Sequence, residues 1–296
     1  MSAPSLKTNL LKGLAFFSVL RGYNIILIII AQYLCSIYIL APEKAIFEQL
    51  LDLNLFLLIV CTSLVIAAGY IINNFYDWEK DLINKPYKTV LDKNISQRAK
   101  IYAYVIFNFT AIIIAASISF RAVVFFSAYS FSIWLYSHKL KKHLYIGNLM
   151  AAALAITPFF TVFVYYKNLD FYIFLHAIYL FLLLLIRELT KDMENLAGDL
   201  SQNYQTIPVR FGLSKSKFWI SLLTALSFIP SYFLFVSDRI GLMKWYFLLA
   251  NSLLLISVFW MYQSRSKTDY SVLHIILKIV LALGVFSILL IDSTLF

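Results

Sequence analysis

Two runs of acidic and amide side chains at helical spacing are the part of this sequence best suited to chemistry. The first is Asn73-Asn74-Phe75-Tyr76-Asp77-Trp78-Glu79-Lys80-Asp81, and the second extends from Arg187 through Glu188, Lys191, Asp192, Glu194 and Asn195 to Asp199. With Asp92 counted in the first loop, they hold eight of the fifteen acids in a chain whose net charge is +10. At about 100° per residue, Asn73, Asp77 and Asp81 fall within about an 80° arc, and Glu188, Asp192, Asn195 and Asp199 within about 60°, so each set lines one helix face. Glu79 and Glu194 lie off those faces and are expected in solvent. Like charges four apart destabilise a helix, and desolvation near a bilayer adds to the cost. A bound cation relieves both. Oxygen donors without His or Cys suit Mg²⁺, which takes one or two carboxylates, keeps waters and completes its octahedron with phosphate oxygens. Two such faces would hold two ions around one diphosphate. Ordinary solvated acidic loops are the competing reading, and they account less well for two sets on one side of the membrane.

The elements that carry these residues follow from composition. Hydrophobic residues make up 61% of the chain and charged residues 14%, against about 45–50% and 25% in soluble domains, and mean hydropathy is +0.81. A polytopic membrane protein is expected, all-α, with a single transmembrane domain over 1–296 preceded by a juxtamembrane segment over 1–20. Apolar runs of spanning length predict nine helices: Asn24–Leu40, Leu53–Tyr76, Ile101–Phe120, Ala122–Tyr136, Leu144–Tyr166, Phe171–Ile186, Phe218–Val236, Trp245–Tyr262 and Val272–Leu290. A membrane barrel would alternate apolar and polar residues over about ten positions, which Phe181-Leu182-Leu183-Leu184-Leu185-Ile186 does not do. The start of the chain does not read as a signal peptide, because Arg21 interrupts the apolar run. Cys35 and Cys61 fall inside spans and read as packing residues.

Basic residues set the expected orientation. The N-terminus and the loops after spans 2, 4, 6 and 8 hold 18 Lys and Arg, while the other side holds five: Lys44, Arg121, Lys167, Arg239 and Lys244. The positive-inside rule then puts the N-terminus and both acidic runs on the cytoplasmic side and the C-terminus outside. The net positive charge is thus a topology signal, aided by attraction to anionic membrane lipids, and does not point to nucleic acid. No required protein partner is evident.

With these runs in place, the chain resembles the UbiA superfamily of intramembrane prenyltransferases over nearly its whole length. The first run resembles that family's N-D-x-x-D-x-x-x-D signature, and the second its D-x-x-x-D set after the sixth span. Arg21-Gly22-Tyr23-Asn24 is similar to the R-x-x-N opening of its first helix. Asn84-Lys85-Pro86 with Ile95-Ser96, Tyr136-Ser137-His138-Lys139-Leu140-Lys141 with Gly147-Asn148, and Thr206-Ile207-Pro208 with Phe211-Gly212 are similar to its further motifs, in the same order. Two positions depart from the pattern. Asn74 stands where the family commonly has Asp, and Asn195 occupies the first Asp of the second motif. Each loses an anionic ligand and keeps an acceptor oxygen, and Asp192 or Glu188 could substitute at the second site.

The resemblance implies about nine helices around a central cavity and Mg²⁺-dependent transfer of an isoprenyl group from an isoprenyl diphosphate to a lipid-like or aromatic acceptor. Asp77, Asp81, Asp192 and Asp199 would hold the metal. Lys141, helped by Lys88, Lys191 or Arg21, would add positive charge at the leaving group. Asn24, Asn73, Asn74, Tyr136, Asn148, Glu188 and Asn195 complete the expected substrate-binding set. Asn24 and Asn148 fit equally well as hydrogen-bonding links between helices. Tyr70, Tyr76 and Tyr136 lie at a depth where their π faces could stabilise an allylic cation. The second run looks most like the branch that alkylates geranylgeranylglyceryl phosphate. Prenylation of a quinone precursor or homogentisate, a non-catalytic diphosphate-binding relative, and a transporter with intramembrane ion sites remain as alternatives.

Overall fold

The computed structural model describes residues 6–291, and every element among them is helical. In chain order these are α1 Leu6–Leu20, α2 Gly22–Cys35 continued by a wider π turn over Ser36–Leu40, α3 Ile46–Leu50, α4 Leu53–Tyr76, α5 Trp78–Asn84, α6 Pro86–Asp92, α7 Gln97–Ile118 and α8 Phe120–His138. After a 3₁₀ turn at Leu140–Lys142 come α9 Ile146–Tyr166, α10 Phe171–Glu194, α11 Leu196–Ser201, α12 Ile207–Phe235, α13 Lys244–Gln263 and α14 Lys267–Ser287. All-helical structure is what hydrocarbon demands, since each backbone N–H and C=O must be satisfied within its own segment.

Eight of these helices are long and apolar enough to cross a membrane, and α8 is a ninth long helix at the position of the fourth expected span. Large side chains such as Phe109, Phe120, Leu255 and Phe259 are exposed along them, a distribution that only an apolar solvent makes favourable. The chain is a multi-pass integral membrane protein. Boundaries moved where local chemistry acts. Spans three and four separate at Ser119, which is extended and whose Oγ accepts the Ala122 N–H to cap α8. The seventh helix begins at Ile207, eleven residues earlier than the apolar run, because Pro208 suits a helix's first turn; it kinks at Gly212, where φ is +79°.

Two compact units divide the chain, one running through Ile29 and from Leu57 to Leu140, the other taking Ile30–Phe56 and resuming at Lys141. In the first, α7 packs on α8, and α6 packs on both α1 and α5. Helices α4 and α8 come together at Gly69, where a Cβ would sit 2.9 Å from Ile133 Cγ2. In the second, α10 is the central element and packs against α9, α12 and α14. Its buried stripe continues to the end of the helix and includes Glu188 and Asp192, so the second acidic run is carried on the most enclosed helix of its unit.

Gly69→Leu should lower the unfolding midpoint in detergent, by the equivalent of about 1–3 kcal/mol of overpacking. Gly13→Ala, where the added Cβ has nothing within 4 Å, should leave it unchanged or raise it. Equal effects from the two would show that α4 and α8 do not depend on this close approach.

Candidate functional site

Each acidic run straddles a break between a long helix and a short one, and the two breaks have the same backbone geometry. Asp77 joins α4 to α5 with φ −89° and ψ 6°, and Asn195 joins α10 to α11 with φ −95° and ψ 10°. Both values lie in the sparsely populated bridge region where active-site residues recur. The helical ladder nevertheless continues through both breaks. Asp77 N donates to Asn73 O at 2.9 Å and Asp81 N to Asp77 O at 2.8 Å, while Asn195 N donates to Lys191 O and Asp199 N to Asn195 O, each at 3.0 Å. Residues four apart therefore stay on one face through the break, with the backbone bonds at Asp77, Asp81, Asn195 and Asp199 kept. Neither the Asp77 nor the Asn195 side chain caps the helix that follows.

In the first unit, Asn74 and Asp77 are buried, Asn73 and Asp81 half-buried, and Glu79 exposed as expected. Asp81 has Lys85 at 3.9 Å. Asn74 Nδ2 donates to Asp92 Oδ2 at 2.9 Å, and the same oxygen receives Lys88 Nζ at 2.6 Å. Lys88 is thus committed to Asp92. Arg21, at the α1–α2 junction with φ +51°, places its guanidinium 5.1 Å from the Tyr70 ring centroid, and Asn24 Nδ2 donates to Tyr70 Oη at 3.3 Å. The expected cation-stabilising face of Tyr70 therefore already carries a cation. Tyr76 is exposed and meets the His138 ring at 5.3 Å. Tyr136 is half-buried on α8.

In the second unit, Glu188, Asp192, Asn195 and Asp199 are all buried. Glu188 accepts Arg187 Nη2 at 2.6 Å on one oxygen and Lys191 Nζ on the other. It is a neutralised structural carboxylate, so Asp192 is the better replacement for the acid missing at Asn195. Asp192 Oδ2 accepts Asn148 Nδ2 at 2.6 Å, which ties α9 to α10 and makes Asn148 a hydrogen-bonding link between helices. Asp199 Oδ2 accepts Thr206 Oγ1 at 3.4 Å, and its carbonyl accepts the Tyr204 N–H at 2.9 Å, bending the chain back after α11. Lys141 is buried in the 3₁₀ turn before α9. Glu194 corrects the expectation of a solvated acid, since its Oε2 lies 2.6 Å from His274 Nδ1 and its side chain is mostly enclosed.

Three residues carry more than their sequence positions suggested. Asp92 is 1% exposed and binds three donors, the third being Ser18 Oγ at 3.1 Å. Lys100, wholly buried in the first turn of α7, holds its ammonium 4.9 Å from the Trp78 ring centroid. His274 pairs with Glu194. Only the Lys88–Asp92 pair had a readable signal, opposite charges at i,i+4.

The donor set fits a hard cation. The groups are carboxylate and amide oxygens, and Asn74 Oδ1 is buried with no hydrogen-bond partner, a condition that costs about 1–3 kcal/mol unless a cation or water serves the atom. Among the described residues no three of His, Cys, Asp and Glu converge tightly enough to hold an ion unaided. Mutual repulsion opposes such a cluster, and an ion here would draw its remaining ligands from water and phosphate, as Mg²⁺ ordinarily does.

Comparison with known proteins agrees with this arrangement. A solved structure of a digeranylgeranylglyceryl phosphate synthase superposes with a TM-score of 0.69 at 22% identity, covering 94% of this chain and 97% of that one. A UbiA homologue from Archaeoglobus fulgidus bound to GPP and Mg²⁺ superposes with a TM-score of 0.65 at 17% identity, covering 93% and 99%. These likenesses establish the fold. The digeranylgeranylglyceryl phosphate synthase of Thermococcus sibiricus is 30% identical over 79% of this chain and 83% of its own length. Residues 27–287, most of the sequence, match the UbiA prenyltransferase family, and the chain belongs to that family.

Proposed function

We propose that this chain transfers an isoprenyl group from an isoprenyl diphosphate to geranylgeranylglyceryl phosphate, using Mg²⁺ with Asp77, Asp81, Asp192 and Asp199 as its protein ligands. The observation that carries this reading is the pair of matched helix junctions at Asp77 and Asn195, each presenting oxygen donors at four-residue spacing. The GPP and Mg²⁺ of the Archaeoglobus fulgidus homologue and the name of the Thermococcus sibiricus relative support the donor, metal and acceptor classes.

When bound, Mg²⁺ offsets the charge that the diphosphate gains as the C1–O bond breaks. Asn73, Asn74 and Asn195 add neutral acceptor oxygens beside the four aspartates. Lys141 supplies a buried positive charge at the leaving group, a placement that strengthens as water is excluded. Arg187 and Lys191 neutralise Glu188, and the three together carry one net positive charge beside Asp192, which suits an acceptor that carries phosphate. Tyr136, half-buried on α8, is the remaining aromatic face for an allylic cation, since that of Tyr70 is taken by Arg21. The distribution of Lys and Arg supports an active site that faces the cytoplasm, with the N-terminus inside and the C-terminus outside.

Purified protein given radiolabelled geranylgeranyl diphosphate, Mg²⁺ and geranylgeranylglyceryl phosphate should form the ether product, and EDTA should abolish it. Product with an aromatic acceptor alone would reassign the acceptor, and Mg²⁺-dependent diphosphate binding without product from any acceptor would make the chain a binding protein.

Asp77→Ala should lower kcat/KM by roughly 10²–10³-fold, the scale of losing a group that stabilises developing charge, whereas Glu79→Ala, on an exposed side chain, should stay within about twofold of wild type. Equal losses would show that the helix-face assignment is wrong. Lys141→Ala should lower kcat more than it raises KM, because its charge counts most as the leaving group forms; a pure KM effect would make it a binding anchor only.

A further inference from the structure

The Asn74 amide has two ends that differ chemically and hardly at all in shape. Its NH₂ donates and its carbonyl oxygen accepts, and which end faces which way is decided by the neighbouring hydrogen bonds. Asp92 decides it. The Asp92 carboxylate is 1% exposed and accepts on both oxygens: Oδ1 from Ser18 Oγ at 3.1 Å, Oδ2 from Asn74 Nδ2 at 2.9 Å and from Lys88 Nζ at 2.6 Å. A carboxylate has no proton to give, so only the NH₂ end of Asn74 can face it. Reversing the amide would set Oδ1 against Oδ2, two acceptors in contact, and strand a buried donor. The remaining atom, Asn74 Oδ1, is turned away from Asp92 and is buried without a hydrogen-bond partner. It lies one helical turn before Asp77 on α4.

We infer that Asp92 is a positioning residue for the diphosphate-metal site: it locks the Asn74 amide so that position 74 always presents an oxygen to Mg²⁺ or its water shell, and never the NH₂. The inference rests on the proposed Mg²⁺-diphosphate function. The same geometry reassigns Lys88. Its ammonium neutralises the locking carboxylate, and the buried pair adds no net charge to the site. Ser18 completes the lock from α1, and Asp92 closes α6, so three helices of one unit fix the orientation of one amide. Without the lock, either amide end is available, and the NH₂ end repels a cation. A carboxylate at position 74 would not need locking, since its two oxygens are equivalent.

The test is binding, in detergent, of radiolabelled geranylgeranyl thiodiphosphate, a non-ionising analogue, at increasing Mg²⁺. Asp92→Leu is made throughout together with Lys88→Met, because replacing both members of a buried ion pair by apolar side chains is tolerated whereas removing one partner is not; Asp92→Ala with Lys88→Met takes its place if α6 is disrupted, as judged by the unfolding midpoint. The half-saturating Mg²⁺ concentration should rise about tenfold, the lower end of what outer partners of metal ligands contribute. Asn74→Ala should give a similar rise, with little added by combining the two. Asn74→Asp in the Asp92→Leu background should restore the value to within about threefold of wild type. A bracing role for Asp92 predicts no such rescue. Unchanged Mg²⁺ dependence in Asp92→Leu, or failure of Asn74→Asp to rescue it, overturns the inference and leaves the proposed function standing. Wild-type protein that binds no analogue at any Mg²⁺ concentration overturns that function, and this inference with it.

Discussion

An acidic side chain at the end of a membrane helix has to be neutralised or solvated, and this requirement organises the chemistry-bearing parts of the structure. A charge at the centre of a bilayer costs about 3 kcal/mol, and a buried carboxylate is tolerated when donors surround it. Glu188 meets Arg187 and Lys191, Asp92 meets Lys88, Ser18 and Asn74, and Glu194 meets His274. Those three acids are closed within the protein. The acids on the junctions and their helical repeats, Asp77, Asp81, Asp192 and Asp199, are the ones the proposed function assigns to Mg²⁺. Pairing thus marks Glu188, Asp92 and Glu194 as fixtures among carboxylates that look alike in sequence.

The junctions themselves answer a second demand of hydrocarbon. A helix that turns by leaving its ladder would expose N–H and C=O groups that lipid cannot satisfy. At Asp77 and Asn195 the chain changes direction by passing one residue through the bridge region while keeping the i to i+4 backbone bonds on either side. The turn is made without losing register. The same four-residue spacing that aligns Asn73, Asp77 and Asp81 in sequence thus survives a helix break that the spacing alone does not disclose.

What the sequence reveals and what it hides follow that division. Among the described residues, apolar runs located the eight helices long and apolar enough to span and α8 beside them, because burial in lipid depends on composition and length and little on partner identity. The acidic faces were legible because their period is local. The junctions were not, because Phe75-Tyr76-Asp77-Trp78 contains no Gly or Pro to mark a break. Nor were the long-range partners of Asp92 and Glu194 legible: Ser18 lies seventy-four positions from Asp92, and His274 eighty from Glu194. Local spacing gives a residue's face and its near partners, Lys88 for Asp92 and Lys191 for Glu188, and only tertiary packing supplies the rest. The early start of α12 was missed for a simpler reason, since Lys215 and Lys217 dilute its first turns.

Each unit pairs an amide with a buried carboxylate, Asn74 with Asp92 and Asn148 with Asp192, and only the first pair stands at a departure from the family pattern. The Asn74 amide gives up its donor end and keeps its oxygen, so position 74 preserves an acceptor where the family pattern has an acid. The two units are nonetheless unequal in charge. The carboxylate paired with Asn74 carries Lys88 directly on it, whereas Asp192 stands beside the Glu188 group, where Arg187 and Lys191 are already shared with another acid. The first unit thus supplies a neutral oxygen at position 74 and relies on Asp77 and Asp81 for charge. The second supplies a neutral oxygen at Asn195 and moves its charge one turn back, to Asp192. The two units thus differ in their own charge balance, an asymmetry that the paired motifs, read as equivalent signatures, do not show.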